Sequence, residues 1–385
     1  MIPNAKHTIL EDDINSVVSV LRSNFITQGD VVSEFEQNIC NYTQAKYSIS
    51  VNSGTSALHL SCLALGLEHG NSLWTSPISF VASSNCALYC GADVDFVDID
   101  PITRNISVIR LKEKLELAYT TKSLPKILVV VHYSGLSCDM EAIYSLSNKY
   151  GFFIIEDACH AIGGKYKGEP IGNCKYSSLS VFSFHPAKNI TTGEGGIVTT
   201  NSSDLAEKIN LLRSHGITRE KSKIIGPMQG SWYYQMIDLG YNYRLTDFQS
   251  ALGISQLKKL DDFVKSRNKL ADYYDKHISG FQVQIPYRGG DFYSAMHLYV
   301  VRINYKKLKI TRKQVFDSLV NNGIAVNVHY IPIHLQPYYK EFGFSQGDFI
   351  ESEIFYKEAI SLPMYPTLSN KDQEFIVKIL RSLLQ

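Results

Sequence analysis

The apolar positions of this chain fall into two periods. Between about residues 11 and 22 they recur at helical spacing, with Ile14, Val17, Val18 and Leu21 on one face, and a second helix is predicted at about 31–42. A strand then runs into Ser53-Gly54-Thr55. From there to Lys188, short β-rich runs at Ser72–Thr75, Val94–Val97, Lys126–Val131 and Phe152–Ile155 alternate with helical patterns. Alternation of this kind predicts a mainly parallel sheet with helices on both faces. A helix at about 203–214 follows, and 217–235 reads as a polar surface loop carrying Trp232. From about Leu257 a long helical pattern (Leu260, Phe263, Leu270, Tyr273, Tyr274) joins a part of different character. Strands are predicted there near 297–303 and 324–329, with helices near 311–321, 349–360 and 370–383. The pattern divides the chain into a large α/β domain, 1–255, and a smaller α+β domain, 256–385.

Three segments carry candidate chemistry. The first is Val181-Phe-Ser-Phe-His-Pro-Ala-Lys188-Asn-Ile-Thr-Thr-Gly-Glu-Gly-Gly196. A lysine held at the end of a buried strand is poorly solvated, which lowers its pKa and frees the amine to attack a carbonyl. That is the requirement for a Schiff base with pyridoxal phosphate, whose ring nitrogen also needs an acid partner. A surface lysine in a hairpin turn is the plainer alternative. The second segment, Phe152-Phe-Ile-Ile-Glu-Asp157-Ala-Cys-His160, is an apolar strand ending in carboxylates, where open α/β sheets place their chemistry. Asp157 is either that acid partner or a helix N-cap. The third, Ser50-Val-Asn-Ser53-Gly54-Thr55-Ser56, reads as a strand end, a tight turn and a helix start. Such a start favours an anion, Gly54 permits close approach, and Thr55 and Ser56 add hydroxyls. Taken alone, it is equally well a simple cap.

In this order the three segments resemble a fold-type I pyridoxal-phosphate enzyme, and more narrowly the DegT/DnrJ/EryC1/StrS nucleotide-sugar aminotransferases. Phe-Ser-Phe-His-x-x-Lys-x-x-Thr-x-Gly-Glu-Gly-Gly is that family's lysine motif. Similar segments span nearly the whole chain: Asn24-Phe-Ile-Thr-Gln-Gly29, Ser76-Pro-Ile-Ser-Phe80, Gly240-Tyr-Asn242-Tyr-Arg244-Leu-Thr-Asp247 and Val328-His329-Tyr330-Ile-Pro. Arg213-Ser-His-Gly-Ile-Thr-Arg219, Trp232-Tyr-Tyr, His297-Leu-Tyr and Ala359-Ile-Ser-Leu-Pro-Met look like the pseudaminic acid pathway branch. The resemblance implies a mainly parallel seven-stranded sheet with a smaller C-terminal α+β domain. It also implies pyridoxal 5'-phosphate as an internal aldimine on Lys188, with pyridoxamine phosphate during turnover.

The same resemblance assigns residues. Gly54, Thr55, Ser56 and Ser183 are expected on the phosphate, joined by Asn242 of the partner subunit across a homodimer interface. Phe80 is expected over the pyridine face. His160 is expected either to hydrogen-bond the ring hydroxyl or to orient Asp157. The substrate is expected against Asn24, Phe25, Ile26, Thr27, His185, His215, Asn327, Val328, His329 and Tyr330, with Gly54, Ser183 and Asn242 shared. Asn4 stands where relatives usually carry tyrosine, which bears on sugar selectivity. The reaction implied is amination at C4 of a UDP-4-keto-6-deoxy amino sugar, with L-glutamate becoming 2-oxoglutarate.

Bulk properties narrow the alternatives. A net charge of +1 over 385 residues gives no reason to expect nucleic acid or a membrane surface as partner. The seven cysteines are scattered without a Cys-x-x-Cys pair, so no zinc site or disulfide framework is expected and a cytoplasmic enzyme fits better. No secretory signal and no membrane span is expected. A nicotinamide-dependent oxidoreductase would call for a Gly-x-Gly-x-x-Gly turn, which is absent. A C3 dehydratase on this scaffold would carry histidine in place of Lys188. A non-catalytic regulator would be expected to lose Lys188 or Asp157.

Overall fold

A computed structural model describes residues 1–384. Seven strands form the main sheet: β1 (Tyr47–Val51), β2 (Ser72–Thr75), β3 (Asp93–Phe96), β4 (Ile127–Val131), β5 (Phe153–Asp157), β6 (Leu179–Ser183) and β7 (Gly196–Thr200). Their order is β1-β7-β6-β5-β4-β2-β3. Only β7 runs against its neighbours β1 and β6, so the C-terminal ends of the other six share one edge. The sheet is the expected one, seven-stranded and mostly parallel.

Strand β4, Ile-Leu-Val-Val-Val, is buried along its whole length, as a strand covered on both faces must be. Alternate side chains go to opposite faces. Ile127 and Val129 join a core with α3 (Gly54–Ala64), α4 (Ala82–Tyr89) and α7 (Ser203–Arg213). Leu128 and Val130 join one with α5 (Val108–Thr121) and α6 (Met140–Tyr150). A third core joins α2 (Asp30–Thr43) and α8 (Asp247–Leu257) to the far end of the sheet through Phe35, Phe182, Phe184 and Ile254.

Helix α1 (Glu11–Leu21) forms where predicted, but Ile14 and Leu21 are exposed in the chain. It is anchored by Asp13 instead, whose buried carboxylate accepts from Gln256 Nε2 at 2.9 Å and Lys259 Nζ at 2.7 Å. Residues 217–235 are mostly loop, with Ile217–Thr218 paired to Gln235–Met236.

Helix α9 (Leu260–Ile278) leads into a fourth core, where Tyr274, Tyr299, Val315, Leu319, Ile360, Leu362, Ile376 and Leu380 meet. Its sheet is antiparallel and ordered Val283–Gln284, Tyr299–Ile303, Ala359–Leu362. Two expectations are corrected here. Residues 324–329 do not form a strand, and the helix expected at 349–360 ends at Glu358 because Ala359–Leu362 is a strand. The segment 324–328 alternates like a strand, but it has only isolated bridges, Ile324 to Ile2 and Asn327 to Ser361. It is an extended tie between the N-terminal arm and the buried strand Ala359–Leu362, whose four side chains are all inside.

Candidate active site

The ends of β1, β5 and β6 bring the three sequence segments together. Ser53 caps α3, its Oγ accepting the Ser56 N–H at 3.0 Å, which holds the turn in shape. The Ser56 hydroxyl is used inside the turn, donating to Asn52 Oδ1 at 2.6 Å. Among the described residues, no hydrogen bond claims the Gly54 or Thr55 N–H or the Thr55 hydroxyl. A Cβ on Gly54 would lie 2.9 Å from Ser183 Cβ and 3.2 Å from Cys159 Sγ, so this turn, β5 and β6 are in contact only because residue 54 is glycine. Ser183 Oγ accepts the His185 N–H at 3.4 Å, leaving its own proton to donate. The result is a helix N-terminus with free N–H groups and two hydroxyls, the donor set that suits a phosphate.

Asp157, at the end of β5, is buried. Its Oδ2 accepts from the Ser83 hydroxyl at 2.6 Å and its Oδ1 from the Cys159 N–H at 3.2 Å. Ser83 in turn lies 2.6 Å from Ser79 Oγ, one helical turn earlier. Lys188 sits in the turn after β6, its N–H bonded to His185 O at 2.8 Å. Burial pushes its amine below the usual lysine range, opposed by Cys159 and Asp157. The residues present therefore fit a phosphorylated pyridine aldehyde: a poorly solvated amine, a buried carboxylate and an anion cradle.

Opposite this wall stands a cluster of aromatic and imidazole side chains. His160 Nδ1 accepts the Ser134 N–H at 3.3 Å, which places the ring proton on Nε2, 3.1 Å from Tyr330 Oη. Tyr330 then accepts that proton's hydrogen bond and keeps its own to donate. The His160 ring lies 4.5 Å from that of His297. Burial, with the Lys188 charge, keeps both imidazoles well below the usual histidine range and pushes His329 down to about 4. His329 is held by Ser361 Oγ at 2.8 Å, while its carbonyl accepts from Tyr133 Oη at 2.5 Å. The His329–Tyr330 peptide is cis. Asn327 Nδ2 lies 3.4 Å from His329 Nε2 and its Oδ1 accepts the Val328 N–H at 2.8 Å. Asn4 Nδ2 donates to Ser361 O at 3.0 Å, so Asn4, Asn327 and His329 share one neighbour. Phe80 is 58% exposed, its ring 6.4 Å from that of Tyr330.

Other expected residues lie elsewhere in the chain. The loop Asn24–Thr27 bonds to the start of α8, through Ile26 O to the Asp247 N–H at 3.0 Å and a Thr27–Thr246 bridge. Phe25 and Ile26 are exposed. His185 is exposed too, its Nδ1 accepting the Ala187 N–H at 3.2 Å, which shapes the turn carrying Lys188. His215 has φ 61° and is bonded through its N–H to Tyr241 O. Beside it, Asn242 is exposed and its main chain bridges Ser214. Arg213 ties Glu36 to Ser50 O and serves the scaffold.

Sequence reasoning missed Ser83, Tyr133 and Ser134, and it quoted His297 and Ser361 within similar segments without giving either a place in the site. Of the three missed, only Ser83 had a signal, its spacing of four from Ser79. The others touch the site through contacts from distant parts of the chain.

The sheet order, the edge on which these groups gather and their chemistry define a fold-type I pyridoxal-phosphate-dependent aminotransferase. The sequence pattern of the DegT/DnrJ/EryC1/StrS aminotransferase family matches residues 7–381, and the chain belongs to that family. It is 37% identical to the UDP-4-amino-4,6-dideoxy-N-acetyl-beta-L-altrosamine transaminase of Campylobacter jejuni, over 100% of this chain and 98% of that one. Helicobacter pylori PseC, an aminotransferase involved in the biosynthesis of pseudoaminic acid, superposes with a TM-score of 0.90 at 31% identity, over 100% of this chain and 99% of that one. The PLP-form of a putative sugar aminotransferase, Spr1654 of Streptococcus pneumoniae, does so at 0.89 and 27% identity, over 99% and 98%. No helix among the described residues is long and apolar enough to cross a membrane.

Proposed function

We propose that this enzyme transfers the amino group of L-glutamate to C4 of UDP-2-acetamido-2,6-dideoxy-β-L-arabino-hex-4-ulose. The products are UDP-4-amino-4,6-dideoxy-N-acetyl-β-L-altrosamine and 2-oxoglutarate. One observation carries the chemistry: the buried Asp157, the poorly solvated Lys188 and the unclaimed donors of Gly54 and Thr55 meet at one sheet edge. The acceptor is carried by likeness to the Campylobacter and Helicobacter proteins.

Pyridoxal phosphate, when bound, supplies an electron sink conjugated to the reacting carbon. Gly54, Thr55 and Ser183 would hold its phosphate, with Asn242 of the partner subunit. Ser56 contributes by fixing the turn. Asp157 holds the proton on the ring nitrogen, and Ser83 fixes the carboxylate's orientation. Phe80 would cover one ring face. Lys188 Nζ is the amine that would hold the cofactor, and when free it would take the proton from glutamate Cα and, in the second half, deliver one to sugar C4. His160 stays neutral and orients the Tyr330 hydroxyl, which donates toward the substrate. The two substrates take turns in one site, so the kinetics are ping-pong.

The reading includes a domain boundary near residue 255, a homodimer and a cytoplasmic setting. Free cysteines and the exposed Phe25, Ile26 and Asn242 support the last two. A second acceptor, another nucleoside-diphosphate 4-keto-6-deoxy sugar, is favoured by one observation. Asn4, which stands where relatives usually carry tyrosine, is bonded into the Ser361–His329 cluster.

The test is a panel of 4-keto nucleotide sugars incubated with glutamate and the cofactor-loaded protein, read by mass spectrometry. Amination of the L-arabino UDP-sugar in preference to the D-configured and GDP-linked sugars supports the reading. Preference for another acceptor replaces it, and no amination of any sugar overturns it.

A further inference from the structure

The turn between β6 and β7 is closed mainly on itself. Thr191 Oγ1, at 2.8 Å, and the Thr192 N–H, at 3.0 Å, both donate to Phe184 O. The Lys188 N–H donates to His185 O and the Ala187 N–H to His185 Nδ1. One side chain reaches out. Asn189, 4% exposed, donates through Nδ2 to Ala295 O at 2.9 Å and to Ile162 O at 3.4 Å. Both acceptors are carbonyls, so the amide must face them with its nitrogen. Among the described residues, these are the only hydrogen bonds by which residues 185–192 reach beyond 183–195. No other hydrogen bond among them claims either carbonyl. Ile190 also leaves the turn, joining the core that holds Ala158, Ala161 and Ile162, but an apolar contact has no direction.

The two carbonyls belong to segments that carry the imidazoles. Ile162 follows His160 by two residues, and Ala295 precedes His297 by two. The rings of His160 and His297 lie 4.5 Å apart. The segment around Ala295 is fixed from several sides. Its N–H donates to Gly135 O and that of His297 to Ser134 O, each at 3.0 Å, and Arg267 Nη1 donates to His297 O at 3.1 Å. Asn189 therefore joins a self-closed turn to a fixed frame. We propose that Asn189 is a positioning residue for the transamination, orienting Lys188 toward the reacting carbon by tying its turn to the His160 and His297 segments. Without the amide, two buried carbonyls lose their donor, and the turn shifts as they seek another. A displacement of about 1 Å at a reacting group costs on the order of 10²-fold in rate. This inference rests on the aminotransferase reading of Lys188 and does not depend on which sugar is the acceptor.

The experiment compares cofactor-loaded unaltered protein with Asn189→Ala. The glutamate half-reaction is followed in single turnovers, and the cofactor's visible absorbance is titrated with pH. In Asn189→Ala the rate constant should fall roughly 10–100-fold while the half-saturating glutamate concentration stays within about 3-fold. The pH midpoint of the absorbance should shift, because the amine it reports has moved. A purely structural side chain would lower the melting temperature and leave rate, saturation and pH midpoint where they are, and that result overturns the proposal. Asn189→Gln keeps the amide on a stem one methylene longer, and its rate should lie between the two. If Asn189→Ala does not fold, Asn189→Gln decides: a slower half-reaction at unchanged saturation supports the proposal, and an unchanged rate overturns it. Borohydride labelling of the unaltered protein separates the two failures. No pyridoxyl group on Lys188 removes the aminotransferase reading and this inference with it. A labelled Lys188 with unaltered kinetics in the variant removes this inference alone.

Discussion

Two walls face each other across the site, and they are built differently. The first, formed by residues 53–56, 157–159 and 183–188, hangs on three strand ends of one sheet. Each of its segments is continuous in sequence. The second is assembled from Asn4, Tyr133, Ser134, His160, His297, 327–330 and Ser361, which come from six places and meet through single hydrogen bonds and one ring contact. The first wall carries groups any transaminase needs. The second, in the function we propose, is where the acceptor is recognised. On that proposal the common reaction is fixed by strand ends, and the acceptor is chosen by a seam that substitution can retune without disturbing the sheet.

The largest effect should come from the first wall. Lys188→Ala removes both attachment and proton transfer, and turnover should fall at least ~10³-fold for every acceptor. Retained multiple turnovers would remove the wall's central role. Asp157→Asn keeps the shape and the Ser83 contact but loses the charge, and kcat should drop roughly 10²–10³-fold with glutamate and sugar alike. A loss confined to one substrate would break the division between the walls. On the second wall, Ser361→Ala releases the His329 imidazole and leaves the main-chain bridge to Asn327 in place. Its penalty should fall about 10-fold more heavily on kcat/KM for the sugar than for glutamate. Equal penalties would merge the two walls into one.

The smallest effect is on stability. His329 titrates at about 4 in the folded chain because it is buried near Lys188. The unfolded chain takes up that proton near pH 6.5, so folded stability falls as the pH drops from about 6.5 to about 4. His329→Asn should remove of order 1–2 kcal/mol of that acid-dependent loss, read from urea midpoints at pH 7 and pH 4.5. An unchanged pH slope would mean the imidazole is solvated.

The contrast also explains what could be read in the chain beforehand. Strands β2 to β5 and helices α1, α2 and α7 lie within a residue or two of their expected bounds, because local period and turn chemistry set them. Gly54, Asp157, Ser183 and Lys188 were visible for the same reason: each ends a strand or opens a turn. The false strand at 324–329 and the missed strand at Ala359–Leu362 lie in the second wall. There an alternating segment bridges only to Ile2 and Ser361, and no local pattern encodes such a tie. Ser361 itself sits in a short, fully buried run that reads equally well as a helix end. Tyr133 and Ser134 were invisible because their partners lie far away in sequence, at His329 and His160.

The most direct test of the first wall is to treat the cofactor-loaded enzyme with borohydride, digest it and locate the pyridoxyl group by mass spectrometry. The adduct should fall on the peptide containing Lys188, and it should be absent after prior exposure to L-glutamate. An adduct on any other lysine, or none on a protein that holds the cofactor, would contradict the assignment of Lys188.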